Sequence, residues 1–245
     1  MNSKFNVQDL LSGNIDEKYN DQVFWYASEV VVKNNQVNIY VKNENLVTFD
    51  EIDLDMKKIS ELKDKIQNDL NHMKDVLVSS GSFLFINEKL AVMQRDLNTK
   101  FDPGFWTTPA GRCDRTIVET GIKETIEEIE IRRENKILFP DIAKKFNITK
   151  KNIEFYATSF KNIKFPLKTY HISLYLDNML IEECKVWMYF SKSVNTIELR
   201  IPIFAELSEN DIILKGEYKT ATGLKSIEEL RHIKCVPALS NFINF

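Results

Sequence analysis

A chain of 245 residues, 43% hydrophobic and 28% charged, has the balance of a globular protein and is long enough for one large domain or two small ones. A net charge of −3, with the excess acid in residues 1–80, excludes a nucleic-acid coat protein or a membrane-surface binder. No stretch approaches the ~18–20 apolar residues of a membrane span, and the opening residues lack the apolar run of a signal peptide, so a cytoplasmic protein is expected.

In chain order, residues 22–31 (QVFWYASEVV) and 36–41 (QVNIYV) are aromatic and β-branched, and the KNN between them is a turn signal, which predicts a hairpin. Over 53–77 the apolar residues Ile59, Leu62, Ile66, Leu70, Met73 and Leu77 step by three and four, the period of an amphipathic helix packed on the core. Three heptads of it would also suit a dimer-forming coiled coil. The SSGS at 79–82 reads as a junction between an N-terminal extension, residues 1–80, and a second domain, 81–245. FLFI and LAVMQR around NEK predict two short strands, and LNTKFDPGF a loop. Helical periodicity returns in TIVETGIKETIEEIEI, and a shorter helix is expected near FPDIAKKF. IEFYATSF, TYHISLYL, KVWMYF and TIELRIPI read as strands. SIEELRHI reads as a helix capped by Ser226, and VPALSNFINF as a closing helix. Strands and helices mix without regular alternation, so the class is α+β. The cysteines Cys113, Cys184 and Cys235 are far apart and lack CxxC spacing, so reduced thiols are expected rather than a disulfide framework or a zinc site. His72, His171 and His232 are isolated and receive no catalytic role.

The acidic run KETIEEIEI, Lys123 to Ile131, carries the chemistry. At about 100° per residue, Glu124, Glu127 and Glu128 share one helix face, and Val118, Ile122, Ile126 and Ile129 the other. Like charges three and four residues apart repel by a few tenths of a kcal/mol per pair, a penalty that a hard divalent cation would reverse. Most such runs are solvated faces. Here WTTPAGR precedes the helix, and Gly111 is a residue that lets backbone come close to whatever the helix face holds.

From FLFINEKL to EEIEI the sequence resembles the core of a Nudix hydrolase, over about 50 residues. The family has a strand pair ending in Arg, a W-x-x-P-[GA]-G turn, and a loop and helix carrying R-E-U-x-E-E-x-G-U, where U is apolar. Here the strands end in Gln94-Arg95, the turn is Trp106, Pro109, Ala110 and Gly111, and KETIEEIEI lies on the helix register, a divergent Nudix box over 111–131. Lys123 stands for Arg, Thr125 for an apolar residue and Glu130 for Gly, and the loop RCDRTI is two residues short. The family's earlier Glu would fall at Arg115 or Ile117, so Lys123 is expected to pair with Glu119 instead.

The resemblance implies a Nudix-type α/β/α sandwich with a mixed sheet, preceded by the hairpin-and-helix extension. It implies metal-dependent hydrolysis of the P–O–P bond of a nucleoside diphosphate derivative, with Mg²⁺ (or Mn²⁺) held by Glu124, Glu127, Glu128 and the Gly111 carbonyl. Among these carboxylates Glu124 or Glu127 would serve catalysis, and Glu217 is either the late-loop general base or a surface acid. Arg95 and Arg112 would contact phosphates or form surface salt bridges. Phe105, Tyr170 and Trp187 read as core rather than as base-stacking residues. The implied partner is a nucleotide-type small molecule, with an RNA cap in range and a homodimer allowed through the extension. A Nudix-fold module that binds nucleotide or protein without turnover, and an unrelated α+β protein acting through protein contacts, are the other readings.

Overall fold

The computed structural model describes residues 23–48, 69–87, 89–99, 102–133, 136–137, 169–192, 195–205, 211–215 and 221–244. The expected hairpin forms: β1 (Val23–Lys33) pairs antiparallel with β2 (Gln36–Thr48), and Asn34 turns the chain at φ 58, a left-handed conformation that Asn tolerates. Next comes β3 (His72–Ile86), and this corrects two expectations. Residues 72–77 are strand, not helix, and positions 79–82 are the middle of that strand, not a junction. Residues 49–68, the rest of the expected helix, lie outside the described residues. The physical reason is local: Asp75 has φ 52, which offsets the two-residue alternation, so Met73 and Val76, three apart, both enter the core. A strand with one left-handed residue therefore carries helical spacing while its pairing with β1 stays in register.

The expected strand pair follows, with Phe85 opposite Leu90 and Ile86 opposite Lys89 where β3 meets β4 (Lys89–Gln94). Then come β5 (Trp106–Thr107), β6 (Ala110–Arg112) and α1 (Ile117–Glu128). β7 (Glu130–Arg133), β8 (Lys136–Ile137) and β12 (Asp211–Lys215) form a separate three-stranded sheet. TYHISLYL is β9 (Thr169–Leu176), KVWMYF lies in β10 (Met179–Ser191), and TIELRIPI in β11 (Thr196–Ala205). After β13 (Thr222–Lys225), Ser226 caps α2 (Ile227–Arg231) with a reciprocal bond to Glu229, and Pro237 opens α3 (Pro237–Ile243). The expected FPDIAKKF helix and IEFYATSF strand lie outside the described residues.

The main sheet runs β1-β2-β9-β10-β11-β3-β4-β13, mixed in direction, and the chain is α+β. β11 lies parallel to β3, β2 parallel to β9, and β1 also pairs with β3, so six strands close into a ring. All six contribute to one apolar cluster, with Val30, Ile39, Met73, Leu174, Val186 and Leu199 among its buried members, and α1 adds Ile117, Val118 and Ile122. On β3 the alternation separates two cores: Leu84 and Ile86 belong to this cluster, while Phe83 and Phe85 belong to a second one with Trp187, Leu239 and Phe242. Thus α1 and the C-terminal helices cover opposite faces of β3. The second core is aromatic, with the Phe83 and Phe242 rings 4.2 Å apart and Phe83 and Trp187 5.1 Å apart. All three cysteines are free and buried. No helix among the described residues is long and apolar enough to cross a membrane.

Candidate functional site

The Ser79–Ser82 segment of β3 seats the site. β6 pairs with it, Ser79 opposite Arg112 and Gly81 opposite Ala110. Gly81 has no room for a side chain, because a Cβ there would strike the Pro109 carbonyl and Ala110. Ser79 Oγ donates to the Gly111 carbonyl at 2.8 Å, Ser80 Oγ to the Ile117 carbonyl at 2.7 Å, and Ser82 Oγ lies 2.6 Å from Thr125 Oγ1. On the helix side Gly121 is equally tight, its would-be Cβ falling on Ile201 and the Gly81 carbonyl. Small residues on both partners bring α1 down onto β3 and β11. Thr125, where an apolar residue was expected, is wholly buried with its hydroxyl satisfied by Ser82 and the Gly121 carbonyl.

This close approach aims the helix carboxyls at the β6 turn. A Cβ on Gly111 would fall into the Glu124 carboxyl group, and the Ala110 amide donates to Glu128 Oε2 at 2.9 Å. Glu127 is the exposed member. Burial pushes the Glu124 carboxyl up to about 8; Lys123 counters this, while Glu128, Glu127 and Asp114 add to it. Among the described residues, no three or more His, Cys, Asp or Glu side chains stand together as a ready metal-holding group.

Lys123 does not pair with Glu119, whose carboxylate instead accepts from the Thr116 hydroxyl at 2.7 Å. Its Nζ lies 3.2 Å from Asp114 Oδ2, 3.9 Å from Glu124 Oε1 and 4.0 Å from Glu127 Oε2. The shortened loop folds Asp114 back over the helix, and Arg115 grips the same carboxylate through Nε and Nη2 at 2.8 and 2.9 Å. Burial alone would push Asp114 up, yet the Arg115 hydrogen bond and the Lys123 and Arg115 charges hold it below its ordinary value. The sequence reading missed Asp114, although it sits one residue before Arg115 in the loop already singled out. It also missed Glu182 on β10, 2% exposed, whose carboxylate accepts from the Ile117 amide at 2.6 Å and the Val118 amide at 3.3 Å. Those are orphan donors of the α1 first turn, and a carboxylate there is also favoured by the helix dipole. No local signal marks it, because it comes from 65 residues along the chain. Cys113 is buried beside this network, and burial pushes its thiol well up, which disfavours the thiolate form.

Of the remaining expected residues, Arg112 is half-buried on β6 and Arg95 half-buried just after β4, its amide bonded to the Phe105 carbonyl at 2.9 Å. Glu217 lies outside the described residues. Trp187 is in the second core with Phe105 at its margin, and Tyr170 packs on the first.

No protein-family model matches the chain, and no curated protein matches its sequence. Among solved structures it is similar to a bifunctional NMN adenylyltransferase/ADP ribose pyrophosphatase from Francisella tularensis, with 14% identity and a TM-score of 0.44, over 80% of this chain and 46% of that one. It is similar to the MutT protein from Methanosarcina mazei Go1 at 12% identity and a TM-score of 0.37, over 69% of this chain and 91% of that one. It is also similar to the Nudix domain of Shewanella oneidensis NrtR, complexed with ADP ribose, at 11% identity and a TM-score of 0.39, over 70% and 86%. The chain thus spans under half the length of the Francisella protein.

Proposed function

We propose that the chain is a Nudix-type pyrophosphohydrolase of α/β/α sandwich architecture, cleaving the diphosphate bond of a nucleoside diphosphate derivative with a divalent cation. The observation that carries the reading is the seating of Glu124 on Gly111 and of Glu128 on the Ala110 amide, at the turn whose sequence resembles the family's. The donors fit a hard cation: they are carboxylate and carbonyl oxygens, and glycine at 111 keeps the space clear of a side chain. Asp114, Glu124, Glu127 and Glu128 outnumber Lys123 and Arg115, so the cluster carries excess negative charge when Glu124 is ionised. Glu124, Glu127, Glu128 and the Gly111 carbonyl would hold the ion, Mg²⁺ or Mn²⁺. When bound, it would neutralise the diphosphate and acidify the attacking water.

The chain's own residues do the rest. Water would attack one phosphorus and its bond to the bridging oxygen would break, giving a nucleoside monophosphate and the phosphorylated remainder of the substrate. Glu127, the exposed carboxylate, is our candidate to take the proton from water, with Glu217 the other candidate. Arg112 and Arg95 would contact the phosphates. Asp114 takes the part of the family's earlier Glu, pairing with Lys123 in place of Arg. These groups all lie within 81–245, with Ser79 from the preceding segment bracing Gly111.

One observation favours a second reading, a nucleotide-binding module without turnover. Lys123 already spreads its charge over Asp114, Glu124 and Glu127, and burial pushes the Glu124 carboxyl up to about 8, so a cation would have to compete with both Lys123 and a proton for it. The test is release of nucleoside monophosphate from ADP-ribose, NADH, dinucleoside polyphosphates and capped RNA with Mg²⁺ or Mn²⁺, in the wild type and in Glu127→Gln and Glu128→Gln. Loss of metal-dependent turnover in the variants supports hydrolysis. Unchanged turnover in both removes the helix from the mechanism, and nucleotide binding without any product supports the second reading.

A further inference from the structure

The face of the sheet opposite α1 carries a cross-strand row that leads away from the β6 turn. Tyr189 on β10 stands opposite Glu198 on β11, Glu198 opposite Ser79 on β3, and Ser79 opposite Arg112 on β6. Residues paired in register share a face, so these four form one line of about 14 Å at the usual spacing between strands. Its near end is tied to the proposed site, since Ser79 Oγ holds the Gly111 carbonyl. In the next row Arg200, 3% exposed, bonds Glu198 Oε2 at 2.7 Å and reaches Thr108 Oγ1 at 3.4 Å, linking the row to the start of that turn.

At the far end an open cavity of about 410 Å³ lies between Tyr189 and α3. Its other walls are Pro237, Ser240, Asn241 and Asn244, spaced three and four apart and so on one helix face. Tyr189 stacks on Trp187, with ring centroids 6.1 Å apart and planes 11° apart, which fixes its ring. The cavity thus offers an oriented aromatic ring and two carboxamides, each both donor and acceptor, without a charged wall.

We infer that Tyr189, Asn241 and Asn244 form the nucleobase subsite, Glu198 the ribose contact and Arg112 the phosphate contact of one nucleotide lying across β10, β11, β3 and β6, an assignment that rests on the proposed diphosphate chemistry. The order of groups along the row is the order within a nucleotide. A ring stacks an aromatic base, carboxamides match its donor and acceptor edge, a carboxylate accepts from vicinal hydroxyls, and a guanidinium meets phosphate. The Arg200 bond fixes the Glu198 carboxylate for that task. The substrate class is therefore a ribonucleoside diphosphate derivative whose base is read, rather than a simple polyphosphate.

The test is calorimetry on the full chain with Mg²⁺, titrating AMP, GMP, CMP, UMP, ribose 5-phosphate and inorganic pyrophosphate into the wild type, Asn241→Ala and Tyr189→Leu. The best nucleotide is expected to bind at least tenfold tighter than ribose 5-phosphate. Each substitution should remove most of that gap while leaving pyrophosphate affinity within twofold. Asn241 is exposed, so its variant keeps the fold even where Tyr189→Leu does not. Equal binding of nucleotides and ribose 5-phosphate, or a gap that survives Asn241→Ala, overturns the inference and leaves hydrolysis to stand on its own assay. A base-dependent gap that Asn241→Ala abolishes, in a protein that hydrolyses nothing, upholds the subsite and removes the hydrolase.

Discussion

Lys123 and Asp114 are each 6% exposed and meet at 3.2 Å, a buried ion pair that ties the loop before α1 to the middle of the helix. Removing one member of such a pair leaves the other charge without its partner in a dry place. Asp114→Asn should therefore destabilise the chain by about 3 kcal/mol, measured by urea unfolding. A change under about 0.5 kcal/mol, the range of an exposed pair, would refute the buried role.

Gly111→Ala places a methyl where the Glu124 carboxyl now lies. The carboxyl must move, at a cost of about 1–3 kcal/mol for overpacking. The melting temperature should fall, and the stabilisation by Mg²⁺ or Mn²⁺ that the proposed metal role predicts for the wild type should shrink or vanish. A metal-dependent shift of full size in this variant would show that the ion does not use this turn.

The pH dependence follows from Glu124. Its folded value, about 8, lies above the ordinary 4.5, because burial disfavours the charge and Glu128, Glu127 and Asp114 add to that while Lys123 only partly offsets it. The unfolded chain thus loses this proton more readily than the folded one. The stabilising contribution is full below about pH 4.5 and is lost as pH rises through about 8. In chelator, the wild type should lose stability over that window more steeply than Glu124→Gln. Parallel profiles for the two proteins would contradict the shift.

Glu182 tests the helix start. Glu182→Ala leaves the Ile117 and Val118 amides without their acceptor, costing about 1–3 kcal/mol, whereas Glu182→Gln keeps one acceptor oxygen and should cost less. Hydrogen exchange at those two amides should quicken in the alanine variant. Unaltered protection there would mean that another group caps the helix.

Local chemistry determined much by itself. The β1–β2 hairpin, the β3–β4 strand pair, the Ser226 cap and the face shared by Glu124, Glu127 and Glu128 all follow from spacing and turn residues, because each depends on neighbours within a few positions. Tertiary structure alone decided where the spacing misleads and who meets whom. Met73 and Val76 sit three apart in a strand because Asp75 takes a left-handed conformation and β1, joined by β11 from Leu77 onward, supplies pairing that an isolated segment lacks. The small residues Ser79 to Ser82 look like a linker until α1 and β6 close on them from either side. Glu182 reaches α1, and Tyr189 falls into one cross-strand row with Arg112, only across paired strands, since such neighbours from distant segments exist only once the sheet has formed.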